Sequence, residues 1–166
     1  SQSLAKSIKD NNGVYFVPAF TGLGAPHWKP DARGTIVGLT GSSGKAEIVR
    51  AALEAVAYQS ADLFDAMAGD GQKPAIVRVD GAMSANDWLL QFLSSISNIR
   101  IEKSDNKETT SQGAAILASI GSGLFSSIDD TKKFWKSNKS FSPKMKDEKV
   151  KNYRNGWNNA IKRTIL

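Results

Sequence analysis

The stretch from Ala75 to Phe92 limits the fold most strongly, because it joins a β-branched run to an amphipathic helix through small residues. Residues 75–79, with the sequence AIVRV, predict a short buried strand. The turn Asp80-Gly81-Ala82 lets the backbone come close to a ligand. Ser84 or the pair Asn86-Asp87 is expected to cap the helix, whose apolar face is formed by Trp88, Leu89, Phe92 and Leu93.

This arrangement predicts a ligand site from Gly81 to Asn86. In open α/β sheets, ligands lie beyond the carboxyl ends of the strands, against strand-to-helix turns. The free N–H groups at the start of a helix also favour anions. A nucleotide or a phosphorylated ligand therefore fits this position, and an ordinary strand-to-helix turn without a ligand is the alternative.

The composition is typical of a soluble globular protein. The 166 residues suffice for one domain with a core, and 40% of them are hydrophobic. No apolar run approaches the roughly 20 residues that cross a bilayer, and the polar start carries no signal peptide. The absence of cysteine excludes disulfides and thiolate metal sites, and the single histidine, His27, excludes a histidine-rich metal site and argues against a serine–histidine triad. We therefore expect a cytoplasmic protein with no membrane partner.

The positive charge is concentrated in the last 35 residues, which hold half of the 22 lysines and arginines. Such a segment could contact nucleic acid or an anionic surface. A solvated helical face is the favoured interpretation, so no nucleic-acid partner is expected. The aromatic residues of this segment are predicted to be packing anchors: Phe134, Trp135, Tyr153 and Trp157.

Helices and short strands alternate along the rest of the chain, which indicates an α/β domain. The predicted strands are few, so one edge of the sheet should lack its neighbour. A polar loop is predicted from Lys103 to Lys107, and Ile116, Leu117 and Ile120 of the helix that follows are predicted core residues. The remaining predicted strands are 14–17, 35–39 and 99–102, and the remaining predicted helices are 46–68, 108–120, 129–135 and 147–163.

Residues 41–46, GSSGKA, imitate a phosphate-binding P-loop but lack two of its parts. A P-loop has the pattern GxxxxGK followed by Ser or Thr, whose hydroxyl reaches magnesium. Here Leu39 takes the place of the first glycine and Ala46 follows Lys45. We therefore reject a P-loop at this position.

Three segments together resemble the C-terminal part of the glycerol kinases, a branch of the FGGY carbohydrate kinase family. The first is VPAFTGLGAPHW at 17–28, with the Arg33-Gly34 pair after it. The second is GTIVGL at 34–39, followed by EIVRAALE at 47–54, which is similar to an FGGY signature. The third, VDGAMSAN at 79–86, resembles the adenosine motif of the actin–hexokinase superfamily. The resemblance covers about Gly13 to Arg163.

The resemblance implies an incomplete ribonuclease H-like α/β domain of the actin/hexokinase superfamily, with short strands packed by several helices. Residues 1–166 would be a C-terminal FGGY kinase domain that lacks its first β-hairpin and the whole N-terminal domain. The start at Ser1, without methionine, agrees with this expectation of a fragment.

The family's nucleotide contacts map onto Gly81, Ala82 and Asn86. Asn86 offers both a donor and an acceptor at a helix start. Ala82 departs from the usual glycine, and a positive φ at this alanine would strain the backbone. His27 stands where the family often has tyrosine, and we interpret it as structural.

The activity implied by the resemblance is transfer of the γ-phosphate of ATP to glycerol, with Mg²⁺ as a cofactor. The partners would be ATP or ADP and glycerol, and a homo-oligomer is possible. The glycerol pocket and the catalytic aspartate of the family lie before Ser1, so this chain is predicted to hold no catalytic or metal residue and to be inactive alone. The alternatives are an FGGY kinase for another polyol or ketose, and a non-catalytic basic binding or assembly module.

Overall fold

The computed structural model describes residues 1–106 and 108–166, which alternate between short strands and helices. The strands are β1 (Tyr15–Val17), β2 (Thr35–Val37), β3 (Ile76–Val79), β4 (Arg100–Ser104) and β5 (Ser137–Phe141). The helices are α1 (Gln2–Lys6), α2 (Lys45–Gly69), α3 (Asp87–Ser97), α4 (Thr109–Gly121) and α5 (Asp147–Thr164). Two 3-10 turns, Ala82–Ala85 and Asp129–Phe134, complete the described elements.

The strands form two small sheets. Strands β1 and β2 pair antiparallel, with Phe16 opposite Ile36. In the second sheet β4 is central, parallel to β3 and antiparallel to β5. Among the described residues β3 has no second neighbour, so its outer edge is open, as the small number of predicted strands implied.

The core lies between α2, α3 and α5. Tyr58 of α2 stacks on Trp157 of α5, with ring centroids 5.2 Å apart, and meets Phe92 of α3 edge to face at 5.7 Å. Both Tyr58 and Trp157 are almost fully buried. Small residues along α2, such as Ala55 and Ala61, are also buried and let its neighbours approach closely. Aromatic pairs of this kind add to the hydrophobic stabilisation from burial.

Helices α2, α3 and α5 lie where the sequence predicts them, but two regions differ. Strand β5 was not predicted, because its sequence SNKSF is polar and four of its five residues are exposed. Strand β4 also continues to Ser104, into the predicted loop, whose last residue Lys107 lies outside the described residues.

The core roles predicted for α4 and β3 are wrong. No residue of α4 is buried, and Leu117 is 63% exposed. Ile76 of β3 is 47% exposed, although its run of β-branched residues predicts a buried strand. Val77 and Val79, on the other face of the strand, pack against the core, so β3 covers one of its faces only. No described helix combines the length and the apolar character needed to cross a membrane.

The aromatic anchors predicted in the basic segment are half confirmed. Tyr153 and Trp157 are buried in the core on α5, whereas Phe134 remains 40% exposed. Trp135 instead stacks under the guanidinium of Arg78, 4.3 Å from the ring centroid, and so ties the loop before β5 to β3.

Candidate functional site

The turn after β3 is shaped by one glycine. Gly81 has φ +80° and ψ 179°, a conformation that side chains rarely tolerate. Its carbonyl accepts hydrogen bonds from the Ser84 N–H at 3.1 Å and from the Ser84 hydroxyl at 2.7 Å. These bonds close the 3-10 turn Ala82–Ala85. Ala82 itself lies outside the positive-φ region, so the strain considered for this alanine does not arise.

Asn86 ends the turn and caps α3. Its side-chain Oδ1 accepts the Leu89 N–H at 3.1 Å, which is the N-cap bond expected from the sequence. Ser84, the other predicted cap, is used inside the turn instead. Among the described residues, only the Oδ1 atom of the Asn86 side chain has a hydrogen-bond partner.

Two lysines hold the first residue of α3 in place. The Lys139 ammonium of β5 lies 2.7 Å from Asp87 Oδ2, and the Lys103 ammonium of β4 lies 3.5 Å from Oδ1. The hydrogen bond from Lys139 holds the pKa of Asp87 below its usual value. The carboxylate of Asp87 therefore already lies at the N-terminus of α3. A negatively charged ligand would bind at the turn before the helix rather than at this N-terminus.

Gly81 and Ala82 line a cavity of about 410 Å³ beside the turn. Ser84 and Ala85 continue this wall, and the opposite wall consists of residues 103–106, Glu108 and Asn138. Asn138 Nδ2 donates to Asp105 Oδ1 at 3.1 Å and fixes that wall. Within the described residues, the N–H groups of Gly81 and Ala82 have no acceptor. The cavity thus has a polar wall and two backbone donors at its edge.

The structure brings two of the three predicted site residues to this cavity. Gly81 and Ala82 border it, whereas Asn86 stands at the far end of the turn and does not. Sequence analysis missed the opposite wall, Lys103 to Asn106 and Asn138. The available signal was the parallel pairing of β3 and β4, since parallel strands end at the same edge of a sheet.

The backbone N–H of Gly44, in the segment that resembles a P-loop, is already bound by a residue of α2. Glu47 Oε2 accepts the Gly44 N–H at 3.0 Å, and Glu47 Oε1 accepts from Asn12 Nδ2 at 2.9 Å. The Gly44 N–H lowers the pKa of Glu47, so this carboxylate stays charged where a phosphate would otherwise bind. The geometry agrees with the rejection made from the sequence.

Glu54 and His27 have structural surroundings. Glu54 is fully buried and accepts hydrogen bonds from Arg50, Asn11 and Tyr58. His27 Nε2 lies 3.1 Å from Asp62 Oδ2, and this contact joins residues 20–28, the glycine-rich loop, to α2. Neither side chain lines the cavity beside the turn.

The fold is that of the ribonuclease H-like domains of the actin/hexokinase superfamily. Residues 2–122 match the model of the FGGY family of carbohydrate kinases, C-terminal domain. The chain therefore belongs to the FGGY family of carbohydrate kinases.

Glycerol kinases are among the most similar relatives. The chain is 48% identical over 163 residues to a glycerol kinase of Alteromonas mediterranea, and 47% identical over 165 residues to one of Coxiella burnetii. These matches cover 98% and 99% of the chain but 33% of each relative. The chain thus spans about a third of the length of the curated relatives it matches, and the resemblance to the C-terminal part of glycerol kinases is confirmed.

Solved structures agree with this assignment. A crystal structure of Plasmodium falciparum glycerol kinase with ADP matches with a TM-score of 0.88 and 39% identity, over 99% of the chain and 33% of that structure. A gluconate kinase of Lactobacillus acidophilus matches with a TM-score of 0.78 and 23% identity, over 96% of the chain and 32% of that structure. The second match supports the fold alone.

Proposed function

We propose that this chain is the nucleotide-binding part of a kinase that transfers the γ-phosphate of ATP to glycerol, giving glycerol 3-phosphate. The turn Gly81–Asn86 carries the proposal, because its open backbone donors border a cavity at the end of a parallel strand pair. The sequence identity of 47–48% to glycerol kinases supports the choice of substrate, and the relative solved with ADP supports the choice of nucleotide.

The chemistry assigned to this chain is binding and orientation. The N–H groups of Gly81 and Ala82 would donate to a phosphate or ribose oxygen in the cavity. Asn86 Nδ2, at the far end of the turn, would donate to a part of the nucleotide that extends beyond this cavity. Phosphoryl transfer depends mainly on positioning and on electrostatic stabilisation of the transferred group. Residues before Ser1 would supply the glycerol pocket and the base, so residues 1–166 alone are proposed to be inactive.

Magnesium enters the proposal together with ATP. The described residues contain no group of three or more His, Asp or Glu side chains that could hold a metal ion. Mg²⁺ in kinases is held mainly by the phosphates, by waters and by one or two carboxylates, so no step is assigned to these residues through the ion.

A pair of substitutions at Asn86 tests the nucleotide site. Asn86→Asp keeps a good N-cap but removes the amide donor, whereas Asn86→Ala removes both. We expect both variants of the full-length protein to bind ATP roughly fivefold more weakly, which is the loss of about one hydrogen bond. Only Asn86→Ala should lose about 1 kcal/mol of stability. Unchanged ATP affinity in Asn86→Asp would contradict the assignment of Asn86 to the site.

A substrate panel tests the choice of glycerol. The full-length protein should produce ADP with glycerol and much less with other polyols or ketoses, and residues 1–166 alone should produce none. Equal rates with a ketose would favour the alternative hypothesis, an FGGY kinase for another polyol or ketose. ATP binding without any phosphorylation by the full-length protein would favour a non-catalytic module instead.

A further inference from the structure

The cavity beside the turn Gly81–Asn86 has an acidic far wall. Asp105 and Glu108 line this wall, and Lys103 is the only basic side chain among the described residues that line the cavity. The Lys103 ammonium lies 3.5 Å from the Asp87 carboxylate, so its charge is already paired. The described part of the far wall is therefore negatively charged.

This charge favours one orientation of a nucleotide in the cavity. The triphosphate carries several negative charges, and like charges at short distance repel one another. The adenine base is neutral, and its exocyclic amino group is a donor that a carboxylate can accept. The cavity of about 410 Å³ also lies within the usual range of small-ligand pockets. The base therefore fits the far wall, and the phosphates fit the open side next to the turn.

Asp105 has a fixed position on the far wall. Its backbone N–H donates to the carbonyl of Lys136 at 3.0 Å, and its Oδ1 accepts from Asn138 Nδ2 at 3.1 Å. The residue before it, Ser104, pairs with Ser137 in the sheet. Among the described residues, only the Oδ1 atom of this carboxylate has a hydrogen-bond partner. A ligand in the cavity can therefore donate to Oδ2 without displacing a bond of the protein.

Asn138 adds a second polar group to the same wall. One hydrogen of its amide is used by Asp105, and the amide has a further hydrogen and a carbonyl oxygen. Adenine presents a donor, its 6-amino group, next to a ring nitrogen that accepts, and asparagine commonly pairs with this pattern. Asp105 and Asn138 together thus match the edge of an adenine base.

We propose that Asp105, positioned by Asn138, recognises the 6-amino group of adenine and makes the site select ATP over nucleotides that lack this group. The inference rests on the proposed function, because it takes a nucleotide at the turn Gly81–Asn86 as given. It adds the residues that bind the base and the selectivity that they produce.

ITP is the matched probe for this selectivity. Its base has an oxygen in the place of the 6-amino group of adenine. An oxygen only accepts hydrogen bonds, and so does the ionised carboxylate of Asp105, so the two would face each other without a proton between them. The full-length protein should therefore bind ATP about tenfold more tightly than ITP.

Asp105→Asn tests the recognition directly. The asparagine amide can accept from adenine or donate to the oxygen of ITP, so the ratio of the two dissociation constants should fall to about one. Titration calorimetry of the full-length protein, without glycerol, measures both constants independently of phosphorylation.

Asn138→Ala tests the positioning role of Asn138. The variant keeps the Asp105 carboxylate but removes the hydrogen bond that orients it, so the ratio should fall only about threefold. Because Asn138 acts through Asp105, the protein with both substitutions should have the same ratio as Asp105→Asn alone. A merely structural role of Asn138 would change both dissociation constants by the same factor.

Glu108→Gln is the matched control for charge. It removes the same negative charge from the same wall, so ATP and ITP should both bind more tightly while their ratio stays unchanged. Asp129→Asn, at an exposed aspartate that pairs with Lys132 and lies outside the cavity, should change neither constant. Unchanged circular dichroism would show that the variants are folded.

The possible failures can be told apart. If the unchanged protein bound neither nucleotide, the proposed function would fail and this inference with it. If it bound ATP and ITP equally well, or if Asp105→Asn kept the preference for ATP, only this inference would be wrong. An equal loss of preference in Asp105→Asn and Glu108→Gln would also overturn it, because charge alone would then explain the selectivity.

Discussion

The buried carboxylate of Glu54 shows what a single residue contributes to this fold. Its Oε1 accepts from Arg50 Nε at 2.7 Å, and its Oε2 accepts from Asn11 Nδ2 at 2.9 Å. Arg50 in turn donates to the carbonyls of Ala5 and Ile8. Burial raises the pKa of Glu54, and the bond from Arg50 is the largest opposing effect. The pair therefore ties the first residues of the chain to α2.

Removing one member of this pair should be costly. Glu54→Ala leaves the Arg50 guanidinium buried without its carboxylate, which costs about 3–5 kcal/mol. Glu54→Gln retains a hydrogen-bond acceptor and should cost less. Urea denaturation with linear extrapolation measures both. A loss below about 1 kcal/mol for Glu54→Ala would show that the pair is not a main contact of the fold.

At the scale of elements, two helical glycines have opposite roles. A Cβ at Gly156 of α5 would clash with the Tyr15 hydroxyl, whereas a Cβ at Gly113 of α4 would have no atom within 4 Å. The first glycine lets α5 cross β1 closely. The second has no packing role in the described structure.

The same substitution should therefore change stability in opposite directions. Gly113→Ala should stabilise the protein by about 0.5–1 kcal/mol, because alanine loses less backbone entropy in a helix. Gly156→Ala should destabilise it by about 1–3 kcal/mol, since overpacking outweighs that gain. Thermal unfolding followed by circular dichroism compares them. A stabilised Gly156→Ala variant would contradict the close crossing of α5 and β1.

The start of α3 should also respond to pH. Because the pKa of Asp87 is lowered in the folded state, its contribution is present above the usual aspartate pKa and is lost as the pH falls through the lowered value. Asp87→Asn should cost about 0.5 kcal/mol at pH 7, a value that allows for solvent screening of this exposed pair. The difference in stability between the two proteins should vanish near about pH 2, and it should shrink in about 1 M salt. Urea denaturation at the two pH values measures it.

The sequence predicts elements well where local signals and packing agree. The helix α2 has alanine-rich amphipathic spacing, and α3 has both Asn86 as its cap and a clear apolar face, so both were predicted within a few residues. Strand β5 has no apolar alternation and is held by pairing with β4, which a local pattern does not reveal. The residues of α4 are apolar enough for a core, yet they meet few described neighbours.

The candidate site was predicted only along one stretch of the chain. Gly81, Ala82 and Asn86 lie in one turn, and a motif of this length is visible in the sequence. The opposite wall comes from the end of β4 and from Asn138, which lies next to it only because β5 pairs back onto β4. Missing β5 therefore also meant missing that part of the wall.

Across the whole molecule, one carboxylate joins three distant segments. Asp62 of α2 accepts the Trp157 Nε1–H of α5 at 2.7 Å and lies 3.1 Å from His27 Nε2 of the glycine-rich loop. Its second oxygen lies 2.9 Å from Arg154 Nη1, also on α5. The side chain of Asp62 is nearly buried, so these contacts are shielded from solvent. Loop and helix are thus fixed to α2 at the same point.

Two substitutions should separate the loop from the rest of the molecule. His27→Ala removes only the contact of the loop, whose fixed geometry includes the paired amides of Leu23 and Lys29, each 2.8 Å from the other's carbonyl. Amide hydrogen exchange at these two residues should rise while exchange in β4 stays unchanged, since local opening does not require global unfolding.

Asp62→Ala leaves Arg154 and the Trp157 N–H without this buried acceptor, at a cost of about 3 kcal/mol. Exchange should then rise in the loop, in α5 and in β4 together, because the loss lowers the free energy of global unfolding. If His27→Ala accelerated exchange in β4 as much as Asp62→Ala does, the loop would be part of the cooperative core rather than a segment attached to it through Asp62.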